Sequence, residues 1–207
     1  MATVNPDQRL GTNFSLGELL RSQTAERDAL LYAQQMSPPE EVLWALGNLV
    51  EFTLQPAREG LRYPILVSSG FRCPALNALV KGSPNSQHML GQAADVFLPT
   101  AFLNSLDPFH TQFRQEIRRW ITEATGKAPR GNISANFYLF AYLVLNRERF
   151  RIDQIIHEFG EGPGRPGWVH VSSRREGSGR SQGRITLVSR DTTLANVEVP
   201  VALSWGT

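Results

Sequence analysis

PILVSSGFRCPALNALVKGSPNSQHMLGQAADVFL, from Pro64 to Leu98, is the stretch from which the fold is read. Pro64 to Ser69 is short and β-rich and runs into Gly70, the pattern of a strand that delivers the chain to a turn. Pro74 presets the φ of a first helical turn, so Pro74 to Val80 reads as a short helix. Gly82-Ser-Pro-Asn-Ser-Gln-His is a loop by composition. Ala93 to Leu98 returns to an apolar strand that carries one acid, Asp95, where a core strand is ordinarily apolar.

Toward the N-terminus, Ser15 is followed three residues later by Glu18, a capping box ahead of Leu16, Leu19 and Leu20. Pro38-Pro39-Glu40-Glu41 opens the main N-terminal helix, with Val42, Leu43, Leu46, Leu49, Val50 and Leu54 at helical spacing and an end near Gly60. Toward the C-terminus, residues 109–125 and 134–149 read as two helices. Ile152 to Phe159, Trp168 to Ser172 and Arg184 to Ser189 read as strands, the first two joined by a Gly/Pro-rich loop. Helices first and strands clustered later predict an α+β fold with a small, mostly antiparallel sheet.

The 207 residues, 41% hydrophobic and 19% charged, suffice for one sizeable core. We expect a single domain over 1–207, with an N-terminal arm (1–13), a helical insertion (100–150) and a C-terminal extension (185–207). A net charge of +2 provides no concentrated basic face, so nucleic-acid binding is not indicated. Cys73 is the only cysteine and excludes an internal disulfide. Phe137 to Leu145, the most apolar run, falls well short of the ~20 residues of a membrane-spanning helix and reads as a buried one. Met1-Ala-Thr-Val-Asn-Pro-Asp-Gln lacks the basic start and apolar stretch of a secretory signal, which predicts cytoplasmic synthesis without a signal peptide.

Of four histidines, His88 and His170 lie beside the most unusual local patterns. A catalytic zinc takes three nitrogen or oxygen ligands and leaves one position open. His88 and Asp95 are seven positions apart with Gly91 between them, so a loop could turn back and present both to one ion. His170 lies in Trp168-Val-His-Val-Ser, whose alternation puts Trp168, His170 and Ser172 on one face. By spacing alone, a loop histidine and a strand histidine also fit surface or satisfied core positions.

Three blocks in order resemble the zinc D-alanyl-D-alanine carboxypeptidase family, peptidoglycan metallopeptidases of the Hedgehog/DD-peptidase fold: SSGFRCPALN (Ser68 to Asn77), SPNSQHMLGQAAD (Ser83 to Asp95) and WVHVS (Trp168 to Ser172). The resemblance spans about Phe14 to Arg184. It implies one Zn2+ per chain held by His88, Asp95 and His170. It also implies a glutamate general base near the third ligand. Gly167 stands three residues before His170, so a short E-x-x-H arrangement is absent. Glu158 in Ile-Ile-His-Glu-Phe matches the acid of relatives with a longer hairpin, and Glu161 is the fallback. The structural alternative for Glu158 is a strand-end carboxylate paired with Arg165, Arg174 or Arg175.

In the same resemblance Arg72 faces substrate, pairing with a carboxylate or a developing oxyanion, with no structural charge dependent on it. Ser86 and Trp168 are expected to shape the substrate pocket. His157 falls on the strand face opposite Glu158 as a core histidine, His110 has no role in the chemistry, and Cys73 is a buried spectator. The 100–150 segment departs from the family's compact linker and reads as a cap over the cleft, a partner surface or added core.

The implied function is zinc-dependent hydrolysis of peptidoglycan stem peptides, as a carboxypeptidase or an endopeptidase. A wall substrate with no leader points to a phage endolysin released through a holin, or to a virion-associated lysin in contact with other virion proteins. The alternative is a structural virion protein of the tail or baseplate that keeps the peptidase fold as a binding module.

Overall fold

In the computed structural model, which describes residues 4–174 and 183–207, a six-stranded sheet has the order β1-β2-β4-β3-β5-β6. Its strands are β1 (Leu66–Ser69), β2 (Ala93–Phe97), β3 (Ile152–Gly162), β4 (Arg165–Ser173), β5 (Arg184–Val188) and β6 (Thr193–Leu194). The readings at Met1 to Thr3 and at Arg175 lie outside the described residues.

β1/β2, β2/β4, β3/β4 and β5/β6 pair antiparallel, but β3/β5 is parallel, so the α+β fold carries a mixed sheet and not a uniformly antiparallel one. The reason is topological. β4 already has β2 on one edge and β3 on the other, so a strand that reverses direction after β4 finds its free edge on β3 and meets it parallel. The β3/β4 hairpin is also longer than expected. Pairing continues to Gly162↔Arg165 through a bulge between Gly160 and Gly162, and the expected Gly/Pro-rich loop shrinks to a tight turn.

The helices are α1 (Leu16–Leu20), α2 (Ala29–Gln35), α3 (Glu40–Leu49), α4 (Gln55–Leu61), α5 (Pro74–Leu79), α6 (Pro108–Thr125), α7 (Ala135–Leu145) and α8 (Val199–Ser204). The capping box at Ser15 and Glu18 forms reciprocally. The long N-terminal helix is one course interrupted by a π-helical turn at Val50–Leu54. Pro56 explains the interruption, since it cannot donate to the ladder and its ring crowds the preceding turn.

α7 is apolar on every side and buried along nearly its whole length. Phe137 and Phe140 pack on His157 of β3. α6 is amphipathic, burying Phe113, Ile117 and Ile121, one turn apart, in the same core. No residue of α6 or α7 lines the cleft described below, so the 100–150 segment supplies core and not a lid. Within 185–207, β5 joins the sheet and α8 buries Ala202 and Leu203. Among the described residues no helix is long and apolar enough to cross a membrane.

Candidate metal centre and active-site cleft

Asp95 of β2 and His170 of β4 are direct cross-strand partners, so their side chains leave the sheet on the same face. His88 reaches them from a short 3-10 turn, Gln87–Leu90, that ends at Gly91 with φ 66°. A Cβ at Gly91 would lie 2.7 Å from the Val42 carbonyl oxygen, so this return of the loop requires glycine.

The three donor atoms form a nearly equilateral triangle: His88 Nε2 to Asp95 Oδ1 is 3.2 Å, His88 Nε2 to His170 Nδ1 is 3.1 Å, and His170 Nδ1 to Asp95 Oδ1 is 3.0 Å. All three residues are buried. His88 Nδ1 lies 2.6 Å from the Gly70 carbonyl oxygen, which can only accept, so Nδ1 carries a proton there. Nε2 is the ring atom turned toward Asp95 and His170.

Burial alone would raise the Asp95 carboxyl, but its contacts with His170 and His88 outweigh that and hold the group well below the usual carboxylate range. A carboxylate oxygen and two imidazole nitrogens held this close, away from water, suit a cation that all three could share. Donors bound tetrahedrally to zinc at ~2.0–2.1 Å stand about 3.3–3.4 Å apart, close to the triangle observed. The His-Asp-His set could hold a metal ion, and its donors are those zinc takes.

Around this triangle lies a cleft of 1460 Å³, lined on the sheet side by Phe97, Glu158, Trp168 and His170 and on the loop side by Arg72, Ser86 and His88. That exceeds the ~300–1,000 Å³ of ordinary small-molecule pockets and suits a peptide. Glu158 is paired across the hairpin with Trp168 and shares the cleft face with His170. Burial pushes its carboxyl up, an effect that His170 and Arg72 reduce and Asp95 reinforces.

Glu158 has no ion-pair partner among the described residues. Arg165 is taken by Glu161, and Arg174 by Glu148. Glu161, expected as the fallback base, is exposed and outside the cleft lining.

Arg72 departs from expectation. Its Nη2 donates to Asp95 Oδ2 at 2.5 Å and its Nε to Ser69 Oγ at 2.9 Å, so a structural charge does depend on it. The cause is register: Ser69 pairs with Asp95, and the turn leaving β1 carries Arg72 over the neighbouring strand. Of five guanidinium N–H donors, two are thus engaged and three remain.

Two buried glutamines with no motif signature hold the loops. Gln35 of α2 donates from Nε2 to the carbonyls of Leu20 and Phe71 and accepts from the Cys73 N–H, gripping the residues on both sides of Arg72. Gln87, next to His88, donates to buried Asp153 on β3, which also accepts from Arg184 on β5. Only contacts across the fold reveal either clamp.

The other expectations fall away from the centre. His157 packs against Phe137, Phe140 and Trp205, and His110 is satisfied by Ser105 Oγ and the Arg62 carbonyl. Cys73 is buried. Just after Glu158, Phe159 adopts a φ of 35°, a conformation that costs a residue with a side chain roughly 1–3 kcal/mol.

No curated protein matches the chain. Residues 12–113, slightly less than half of its 207 residues, match the sequence model of the family described as Peptidase M15, a span that carries Arg72, Ser86, His88 and Asp95 and stops before Glu158 and His170. That match, with the His-Asp-His set completed from β4, supports the M15 zinc peptidase family and with it a hydrolase.

Proposed function

We propose that the chain is a zinc-dependent peptidase that hydrolyses peptidoglycan stem peptides, with His88, Asp95 and His170 as ligands to one zinc ion. The observation that carries the reading is the triangle of converging donors on the floor of a peptide-sized cleft, beside an acid that has no ion-pair partner among the described residues. Zinc in such a set supplies Lewis-acid polarisation of a carbonyl and acidifies water toward a pKa of ~7.

The chain's residues supply the rest. Glu158, raised by burial toward working pH, takes a proton from the attacking water and delivers it to the leaving amine. Arg72 uses its remaining donors for the charge that develops on the carbonyl oxygen or for a substrate carboxylate. Ser86 and Trp168 bound the space in which the peptide lies.

The proposal extends to a phage-type lysin, free or virion-borne. Purified sacculi incubated with the protein, with and without a chelator, should release peptides identifiable by mass only in the unchelated sample. A protein that never loads zinc and releases nothing would instead be the binding module.

A further inference from the structure

We propose that Gln35 is a positioning residue of this site: its buried amide fixes the direction in which Arg72 leaves the main chain and ties Arg72 to the His88 turn. The inference rests on the peptidase reading above.

Gln35 is the last residue of α2 and is wholly buried, where an apolar side chain would ordinarily stand. Its Nε2 donates to the Leu20 carbonyl at 2.8 Å and to the Phe71 carbonyl at 2.7 Å, and its Oε1 accepts from the Cys73 N–H at 2.9 Å. Two acceptors and one donor around a single amide admit only this orientation of it. An ionised glutamate has no donor for the two carbonyls, and asparagine is one methylene shorter.

The bonds are placed with respect to Arg72. The Phe71 carbonyl belongs to the peptide unit before the Arg72 Cα, and the Cys73 N–H to the unit after it. A peptide unit is planar, so holding both units holds the φ and ψ of Arg72 and with them the direction of its Cβ. The unit before Arg72 is gripped from its other edge as well, because the Arg72 N–H donates to the His88 carbonyl at 3.2 Å. His88 in turn sends Nδ1 to the Gly70 carbonyl, and the Phe71 N–H donates to the Leu19 carbonyl at 2.7 Å. One peptide unit therefore carries Gln35 on one edge and the main chain of His88 on the other.

A contact that served only to dock α2 could take any polar group of the loop. This one takes the two units that meet at Arg72, whose guanidinium must reach Asp95 Oδ2 and Ser69 Oγ with donors left over. Loss of the amide frees that joint and strands a buried carbonyl and a buried N–H.

The test compares Gln35→Met, which keeps the length and loses the hydrogen bonds, with Leu31→Ala, a packing change on the same helix. Gln35→Met should lower kcat/KM about 10–100-fold and weaken zinc about tenfold in a chelator competition. Leu31→Ala should lower Tm and leave both quantities unmoved well below Tm. In a double-mutant cycle, Arg72→Lys should cost less than about tenfold on the Gln35→Met background, against roughly 10²-fold on wild type, because the first change has already released Arg72.

A fall in Tm with kcat/KM and zinc affinity unchanged would show that the clamp serves the fold alone and overturn the proposal. So would a cycle in which the two costs multiply independently. Should Gln35→Met not fold, amide exchange on the wild type decides: zinc should slow exchange of the Cys73 N–H together with the His88 turn, and a Cys73 N–H indifferent to zinc overturns the coupling. A wild type that loads zinc but cleaves no peptide sinks the peptidase reading alone, and the clamp then stands or falls on the zinc affinity of Gln35→Met.

Discussion

His157 and His170 face each other across one hairpin, one register step apart, and lie on opposite faces of the same sheet. On the cleft face, His170 joins a carboxylate and a second imidazole, with its Nδ1 3.0 Å from Asp95 Oδ1 and 3.1 Å from His88 Nε2. On the other face, His157 is enclosed by Phe137, Phe140 and Trp205, and neither ring nitrogen finds a hydrogen-bond partner among the described residues. One environment concentrates charge and the other excludes it. The pleat alone decides which histidine can do chemistry.

The contrast breaks most visibly at the ligands. His88→Ala and His170→Ala should each abolish stoichiometric zinc, from about one ion per chain to near none, because two remaining donors hold zinc poorly. His157→Leu and His110→Ala should leave metal content unaltered. Elemental analysis of the purified proteins checks all four, and full zinc in either ligand variant would break the assignment.

Next in size is Glu158→Gln, which should keep zinc and fold and lose about 10²–10⁴-fold in kcat. Because burial raises this carboxyl and the base must be ionised, the acidic limb of the rate profile should lie above the ordinary glutamate range and vanish in the variant. Glu161→Gln, exposed and paired with Arg165, should be near normal. The reverse pattern would exchange their roles.

Arg72→Lys should lower kcat/KM by roughly 10²-fold or more, corresponding to about 2.7–4 kcal/mol for one lost oxyanion donor. Since Arg72 also holds the second oxygen of Asp95, Arg72→Ala should weaken zinc about 10–100-fold in a chelator competition. Near-normal turnover for Arg72→Lys would mean that charge without the planar fork suffices.

On the far face the expected effect is on stability alone and leaves metal and turnover untouched. Burial holds His157 down to about 4, against an ordinary 6.5 in the unfolded chain. As pH falls through that window the unfolded state takes the proton first, so stability is lost progressively between them, by about 3 kcal/mol. Denaturant titrations at neutral pH and at pH 4 should show a steeper decline for wild type than for His157→Leu.

Residues close in sequence, or set in distinctive blocks, were the legible ones. The capping box and the buried α7 could be anticipated from local pattern, and the gathering of His88, Asp95 and His170 from the resemblance of three sequence blocks to a known family. The clamps could not. Gln35 acts on Phe71 and Cys73 from a helix whose exposed Leu30 hides any apolar stripe, and Asp153 passes for ordinary strand alternation until Gln87 and Arg184 meet it. The parallel β3/β5 pair was likewise invisible, because periodicity marks a strand and says nothing of its direction. Phe159 defied the pattern outright, since alternation assigns it to the opposite face.

The donors differ in what anchors them. Asp95 and His170 belong to paired strands in the middle of the sheet, whereas His88 hangs on a short turn held by the Gly70 carbonyl, by Gln87 and by the Arg72 N–H that donates to the His88 carbonyl. A bound ion would therefore escape by the turn peeling away while the sheet stays folded, a sub-global opening of the kind that native-state amide exchange detects. Its residence time would be set by the lifetime of these few hydrogen bonds, and the protein could surrender a bound ion to a chelator long before it melted.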